Sequence, residues 1–157
     1  MSQARTTAEV RQAIAARVAG MTAPTGLTWT QSPYLYDLFA RDNAGVADGA
    51  FAVGVPSSTL EGGPGGVRNQ SFGWVTSEVH VKFTIAVAPK DQNTSFDMLL
   101  DAEVALIKRI HTQDASWPAD FRIAWVGPAQ RGITTPSGEW LVSDVPFLVQ
   151  FHTLALV

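Results

Sequence analysis

The sequence predicts an α+β fold, in which a mostly antiparallel β-sheet carries two helices on one face and long loops rich in glycine and proline join the elements. Two segments space their apolar residues as a helix does, and several others alternate apolar and polar residues as strands do. Most of the strand segments follow one another directly, which favours antiparallel pairing. A chain of 157 residues is expected to form a single domain, 1–157.

The composition indicates a folded domain and argues against several functions. The chain is 46% hydrophobic and contains five tryptophans and eight phenylalanines, which argues against intrinsic disorder. Its formal net charge is −3 and it has no basic run, which argues against a clamp on nucleic-acid phosphates. The absence of cysteine excludes disulfides, thiolate zinc sites and a cysteine nucleophile. We expect no signal peptide and no membrane span, and therefore a cytoplasmic site of synthesis.

The first element is a helix predicted over about Ala8–Ala19. Thr6 as the N-cap and Glu9 three residues later form a capping box, and Gly20 is placed to end the helix as C′. One apolar stripe faces the expected sheet, and Arg17 is predicted to lie off it. The stripe consists of Val10, Ile14, Val18 and Met21.

The next segment contains short strand patterns and a long loop. Leu27–Thr30 alternates as a strand, Tyr34–Phe39 fits a helical turn or a strand equally well, and Phe51–Val55 alternates again. A flexible loop is predicted over about residues 56–69, Pro56–Asn69, because this segment contains the glycine-rich run Glu61–Gly66. Loops of this length are usually functional or disordered.

The strongest strand pattern is Val79–Val87, which alternates over nine residues. A second helix follows over Ser95–His111, with Thr94 or Ser95 as its cap and basic residues in its last turn, where they complement the helix dipole. Its apolar face is wide and is expected to cover the sheet. The face consists of Phe96, Leu99, Leu100, Val104, Ile107 and Ile110.

The C-terminal third is predicted to contain a strand over Phe121–Trp125, a long turn over Gly127–Gly138 and a final strand that begins at Trp140. The alternation slips near Ser143–Asp144, which predicts a β-bulge there. Pro146 lacks an N–H and is expected at an edge or at that bulge. Trp125 and Trp140 are expected to pair in a hairpin.

No motif with a known chemistry is complete. His80 and His152 lie on the polar side of two strong strand patterns and would be neighbours if those strands pair. They could then bind a metal together or act as a general base. The favoured interpretation is that both are solvated or interface histidines. Gly62–Gly66 lacks the Lys-Ser/Thr of a phosphate loop, and Asp91–Ser95 lacks the later ligands of a calcium loop. We therefore predict no enzyme, no cofactor and no metal site.

The order and lengths of the elements resemble those of the tail terminator, or tail-completion, proteins of long-tailed bacteriophages. The resemblance rests on the capped helix Thr6–Gly20, the alternating strand Glu78–Val87, the helix Ser95–His111 and a tryptophan-bearing hairpin over Trp140–Thr153. It covers most of the chain apart from about Asp42–Asn69. It rests on the order, the lengths and the apolar–polar patterns of the elements and on no residue motif.

The resemblance implies a structural virion protein, assembled in the host cytoplasm and located in the tail or neck of the particle. Its subunits would form a hexameric ring that caps the tail tube, ends tube polymerisation and joins the tail to the head–tail connector or stopper protein. DNA would pass through the lumen without specific binding, and no membrane is involved. Two loops are the candidate partner contacts, with the residues Leu60, Glu61, Arg68, Asn69, Gln130, Arg131 and Glu139.

Three other interpretations stay open. The chain could be another neck or tail protein of a virion. It could be a small-molecule-binding domain with a pocket between Trp29, Trp125 and Trp140. It could also be an enzyme that uses His80 and His152.

Overall fold

A computed structural model describes residues 5–24, 26–33, 48–60, 73–87, 91–112, 121–125, 127–133 and 140–153. This part of the chain forms two helices and a six-stranded, mostly antiparallel sheet, which confirms the predicted α+β fold. The elements are α1 (Thr7–Ala19), β1 (Thr30–Gln31), β2 (Ala50–Leu60), β3 (Trp74–Ala86), α2 (Gln92–His111), β4 (Arg122–Trp125), β5 (Gln130–Ile133) and β6 (Trp140–His152).

The centre of the sheet is the antiparallel pair β3–β6. The two strands pair without interruption from Trp74 opposite His152 to Ala86 opposite Trp140. The strand order is β1-β2-β3-β6-β4, and β5 pairs with the other half of β6 on the same side as β4. One edge of the sheet is therefore formed by β1 and β2, and the opposite edge by β4 and β5.

The two faces of the sheet have different environments. Both helices pack on one face, α1 against β1 and β2 and α2 against β3 and β6, and they also contact each other. The odd-numbered residues of β3 and β6 point towards them and are buried. The other face, here called the open face, carries the even-numbered residues, most of which are half-buried. Among the largest fully buried side chains of the core are Phe51, Phe83, Phe147, Phe151, Ile14, Ile85, Leu99, Leu106 and Ile110.

Strand β2 is longer than the alternation predicts. Pro56–Leu60, predicted as the start of the flexible loop, continues the strand and pairs with β3 as far as Leu60 opposite Val75. The register shifts between Gly54 and Ser57. Pro56 lies inside this irregularity, where the absence of an N–H removes no ladder bond. The apolar–polar alternation did not predict this half of β2, because the register shift reverses which residues of the strand face the helices.

The bulge predicted near Ser143–Asp144 is wrong, since β6 pairs with β3 in one continuous register. Pro146 was expected at an edge but lies in an inner strand. β5 pairs with residues 141–144 of β6 and β4 with residues 147–150, so Pro146 lies in the gap between the two partners. Its missing N–H coincides with this interruption of the outer ladder, which explains why an inner strand tolerates proline.

Helix α1 begins one residue earlier than predicted and has the predicted capping box. The Thr6 N–H donates to Glu9 Oε2 over 2.7 Å, and the Glu9 N–H donates to Thr6 Oγ1 over 3.1 Å. Gly20 follows the helix with φ −84°, so the left-handed C′ conformation is not adopted. The predicted stripe is buried, but Arg17, expected off the stripe, is buried as well.

Helix α2 begins at Gln92, three residues before the predicted start, because Asp91 is the N-cap. The Asp91 carboxylate accepts hydrogen bonds from both the N–H and the hydroxyl of Thr94. The basic last turn is as predicted. The apolar face is only partly buried, since Leu99 and Ile110 lie in the core while Phe96 and Val104 are exposed.

The remaining predicted elements shift in position. β1 covers only Thr30–Gln31 of the region around Leu27–Thr30, and it runs parallel to β2. Tyr34–Phe39 lies outside the described residues. Trp125 pairs with Phe147 and Trp140 with Ala86, so the predicted tryptophan hairpin is wrong. The long turn Gly127–Gly138 contains strand β5.

Arg17 joins the C-terminal ends of the two helices. Its Nη2 donates to the carbonyl oxygens of Arg109 and Thr112 over 2.8 and 2.7 Å, and Arg109 Nε donates to the carbonyl oxygen of Arg17 over 3.4 Å. The carbonyls of a final helical turn lack partners within the helix and carry partial negative charge. The buried guanidinium of Arg17 therefore supplies hydrogen-bond donors to carbonyl groups at the C-terminal end of α2.

We predict that Arg17→Met lowers the free energy of unfolding by about 2 kcal/mol, because two charge-assisted hydrogen bonds are lost at a buried position. Gln12→Met on the exposed side of α1 is the matched control and should change stability by less than about 0.5 kcal/mol. Urea unfolding followed by circular dichroism measures both. Equal stability of the two variants would contradict this role for Arg17.

Candidate functional site

The predicted contact residues lie on the two opposite edges of the sheet where they are described. Leu60 is the last residue of β2 and is 56% exposed. Gln130 and Arg131 were predicted in a loop but form the start of β5, and both are exposed. Glu61, Arg68, Asn69 and Glu139 lie outside the described residues.

The far half of β2, Pro56–Leu60, is exposed along its whole length. Ser57–Leu60 is paired with β3 on one side only within the described part of the chain. The near half of β2 is covered on its outer side: Phe51 O accepts from Ser32 N–H, and Val53 O accepts from Arg11 Nε over 2.9 Å. An edge strand with free backbone groups is a ready site for pairing with another chain.

Strand β5 forms part of the opposite edge and is fixed to α2 by a buried carboxylate. Arg131 donates from Nε and Nη2 to the two oxygens of Glu103, over 2.8 and 2.6 Å. The Ser143 hydroxyl donates to Glu103 Oε1 over 2.6 Å. Glu103 is 4% exposed, and its hydrogen bond holds the pKa of Arg131 above the ordinary value. Arg131, predicted as a partner contact, thus has an internal partner.

The open face carries a polar cluster formed by Glu78, His80, Lys82 and Asp144. His80 Nδ1 lies 2.8 Å from Asp144 Oδ1, and His80 Nε2 lies 2.7 Å from Glu78 Oε1. Lys82 Nζ lies 3.9 Å from Asp144 Oδ2. A histidine between two carboxylates can donate to both only as the imidazolium. Partial burial lowers the pKa of His80, but the hydrogen bonds and charges of Glu78 and Asp144 outweigh burial and raise it above 6.5.

The two histidines do not form a pair. β3 and β6 do pair, but the register places His80 opposite Pro146 and His152 opposite Trp74. Six residues of strand, about 20 Å, separate them along the sheet. His152 is 1% exposed, and its ring lies edge-on to Trp74 at 4.8 Å, so it is not a solvated histidine. The guanidinium of Arg122 also lies over the Trp74 ring, 4.8 Å from its centroid.

Trp29 and Trp140, predicted to line one pocket with Trp125, lie on opposite faces of the sheet. Trp29 is buried in the core and lies edge-on to Phe83 at 5.6 Å. Trp140 lies on the opposite side of the sheet, since it shares the open face with Ala86. Two surface grooves occur elsewhere, one of about 220 Å³ beside α1 and one of about 300 Å³ between β4 and β6. Among the side chains that the structure describes, no tryptophan lines either groove.

Comparisons with known proteins do not assign the chain, since no protein-family model and no curated protein matches it. In the part of the chain that the structure describes, no group of three or more histidine, aspartate or glutamate residues is placed to hold a metal ion. No helix in those residues is long and apolar enough to cross a membrane.

Sequence reasoning missed two features of this surface. Glu103 lies between Ala102 and Val104 on the helix and is an acidic residue close to the predicted apolar face, which could have indicated a buried ion pair. Its partner Arg131 could not be found, because β5 was hidden in a turn. The outer half of β2 was missed because serine, threonine and proline in Pro56–Thr59 favour a loop.

We predict that Arg131→Met lowers the free energy of unfolding by about 3 kcal/mol, because it leaves the Glu103 carboxylate buried and unpaired. Glu103→Met should cost less, about 1 kcal/mol, since Arg131 is 41% exposed and can be hydrated. The double variant should be more stable than Arg131→Met alone. A double-mutant cycle by urea unfolding measures the coupling, and additive effects would contradict the pairing.

We predict that His80 stabilises the fold more at low pH. Because the folded pKa is raised, the contribution is complete below the unfolded pKa of 6.5 and is lost as pH rises through the folded pKa. The difference in unfolding free energy between the wild type and His80→Gln should shrink by about 1 kcal/mol from pH 5.5 to pH 9. His111→Gln on the exposed end of α2 is the control. A difference that grows with pH would contradict the assignment.

Proposed function

We propose that this chain is a structural protein of a bacteriophage tail, a terminator whose subunits form a ring on the end of the tail tube. The observation that carries the proposal is that the domain has two different sheet edges on opposite sides, both with exposed strands. Two unlike surfaces on one chain support head-to-tail association, which closes into a ring when the rotation permits.

The size of the chain supports a hexamer around DNA. A domain of this length has a radius of gyration of about 15 Å and, taken as a sphere, a diameter of roughly 38 Å. Six such spheres in a ring leave a hole as wide as one sphere, enough for duplex DNA. Six copies at −3 each carry −18, and a mildly acidic ring would let phosphates pass without specific binding.

The far half of β2 supports a contact outside the ring. Pro56–Leu60 is exposed along its whole length, and Leu60 presents an apolar side chain at its end. In the proposed assembly this arm, with the chain that follows it, contacts the tail tube or the head–tail connector. The ring acts by covering the tube end and needs no catalysis, cofactor or membrane; it is assembled in the host cytoplasm and remains in the virion.

A nonsense codon in the phage gene that encodes the chain tests the function. We expect lysates with overlong tails and with filled heads that lack tails, because nothing ends tube growth or joins the tail. Electron microscopy of the lysates measures tail length and joining, and the wild-type gene supplied in trans is the control. Tails of normal length on incomplete particles would indicate another neck or tail protein, and an unchanged virion would overturn the proposal.

Leu60→Asp should produce the same defect in a partial form, since a charge replaces an exposed apolar contact. Thr59→Asp, one residue earlier, also exposed and on the other face of the strand, shows whether the effect is specific to the Leu60 side chain. We expect a drop of at least tenfold in plaque titre for Leu60→Asp with unchanged thermal stability of the purified protein. A titre of Leu60→Asp equal to that of the wild type would show that the Leu60 side chain is not a contact.

A further inference from the structure

The exposed apolar side chains are distributed unevenly over the surface. Four large hydrophobic side chains of the described residues are exposed, namely Leu60, Phe96, Val104 and Ile133, at 56%, 38%, 50% and 39%. Leu60 lies on β2, at one edge of the sheet. The other three lie on α2 and β5, at the opposite edge. Single exposed apolar residues are ordinary, but a group of them indicates an interaction surface.

The three residues form one surface, here called the α2–β5 flank. Phe96, Val104 and the half-buried Leu100 are spaced four residues apart on α2 and share one side of the helix. The Glu103–Arg131 ion pair shows that β5 lies beside this helix. Ile133 is two residues after Arg131 in the same strand and therefore points to the same face as Arg131, towards the helix layer. The flank thus runs along α2 and continues onto the sheet edge.

The opposite edge offers a complementary surface, here called the α1–β1 groove. It is lined by Arg11, Gln12, Ala15, Ala16, Ala19 and Gln31. Its volume of about 220 Å³ is several times the roughly 30 Å³ that one water occupies, so it has room for apolar side chains. The groove lies between α1 and β1, and α1 lies on the side of the sheet away from β5.

We infer that the α2–β5 flank of one copy docks into the α1–β1 groove of the next copy. Charge supports this partner at the N-terminal half of the flank: Asp97 and Asp101 are exposed beside Phe96 and Leu100, and Arg11 lines the groove. Shape supports it too, because large apolar side chains would meet three small side chains, Ala15, Ala16 and Ala19. The partner is a second copy of this chain, and the contact is heterologous, so it leaves an unused flank and groove at the two ends of any open chain.

The inference rests on the proposed function only in naming the ring as the closed product. The interface itself is a property of this chain and is tested in the purified protein. The two sheet edges lie beneath the two surfaces, so docking would bring β5 of one copy towards β1 of the next. Backbone pairing between edge strands would then add to the apolar contact.

Site-specific crosslinking tests the inference, because the chain has no native cysteine. Val104→Cys marks the flank and Ala16→Cys marks the groove, both at exposed positions. With a short bis-maleimide, an equimolar mixture of the two variants should give a covalent dimer, and each variant alone should give at least fivefold less. Val104→Cys mixed with Thr59→Cys is the control, since Thr59 shares the open face with Thr76. The double variant Ala16→Cys/Val104→Cys should give a ladder that ends at the size of the ring.

Three results would overturn the inference. One is a dimer of Val104→Cys with itself as strong as the mixed dimer, which indicates an isologous contact. Another is an absence of mixed dimer while native mass spectrometry shows a wild-type oligomer, which indicates a different interface and leaves the proposed ring intact. The third is that the wild type is a monomer at about 0.5 mM, a concentration on the order of the Kd of a weak interface, and that the cysteine variants give no crosslink. The phage gene experiment decides the proposed function independently of all three.

Discussion

The rest of the structure depends on the uninterrupted pairing of β3 with β6. Each strand is 13 residues long, and their shared register places every odd-numbered residue on the helix face. A shift of one residue would turn the whole set of buried side chains to the open face. Residues 147–151 and 79–83 supply much of the core to which both helices bind. β2, β4 and β5 then add to this pair, and in the part of the chain that the structure describes the sheet has an exposed edge strand on each side.

Buried ionic groups connect the outer elements to this central pair. Glu103 on α2 binds Arg131 on β5 and Ser143 on β6, so one carboxylate fixes the helix, the edge strand and the central strand together. Arg17 does the same for the ends of α1 and α2. Such groups are costly to bury and stabilise the fold only when every partner is present. They therefore specify the position of each edge element more than they increase the total stability.

The sequence predicted those parts of the fold in which a local pattern and the tertiary contacts agree. The capping box of Thr6 and Glu9 and the alternation of Val79–Val87 are examples, and the α+β class follows from them. Pro56–Leu60 and β5 were missed because their residues favour loops and only their pairing with β3 and β6 makes them strands. The separation of His80 from His152 depends on the register, which no local pattern contains. The candidate contacts Leu60, Gln130 and Arg131 were predicted in loops, so neither their position on edge strands nor the internal role of Arg131 was predicted.

The chain has few charged residues, and the positions of several of them in the fold affect which surfaces are left for contact with other chains. Only 16% of the residues are charged, and many of these are used inside the domain or bind one another. Arg17 and Glu103 are buried, and Glu78, His80, Lys82 and Asp144 form one cluster. Net charge and charged surfaces keep proteins apart in solution. The charges used in this way leave large apolar side chains exposed on the α2–β5 flank and three alanines in the α1–β1 groove. Two such surfaces on opposite sides of one domain favour head-to-tail association of copies.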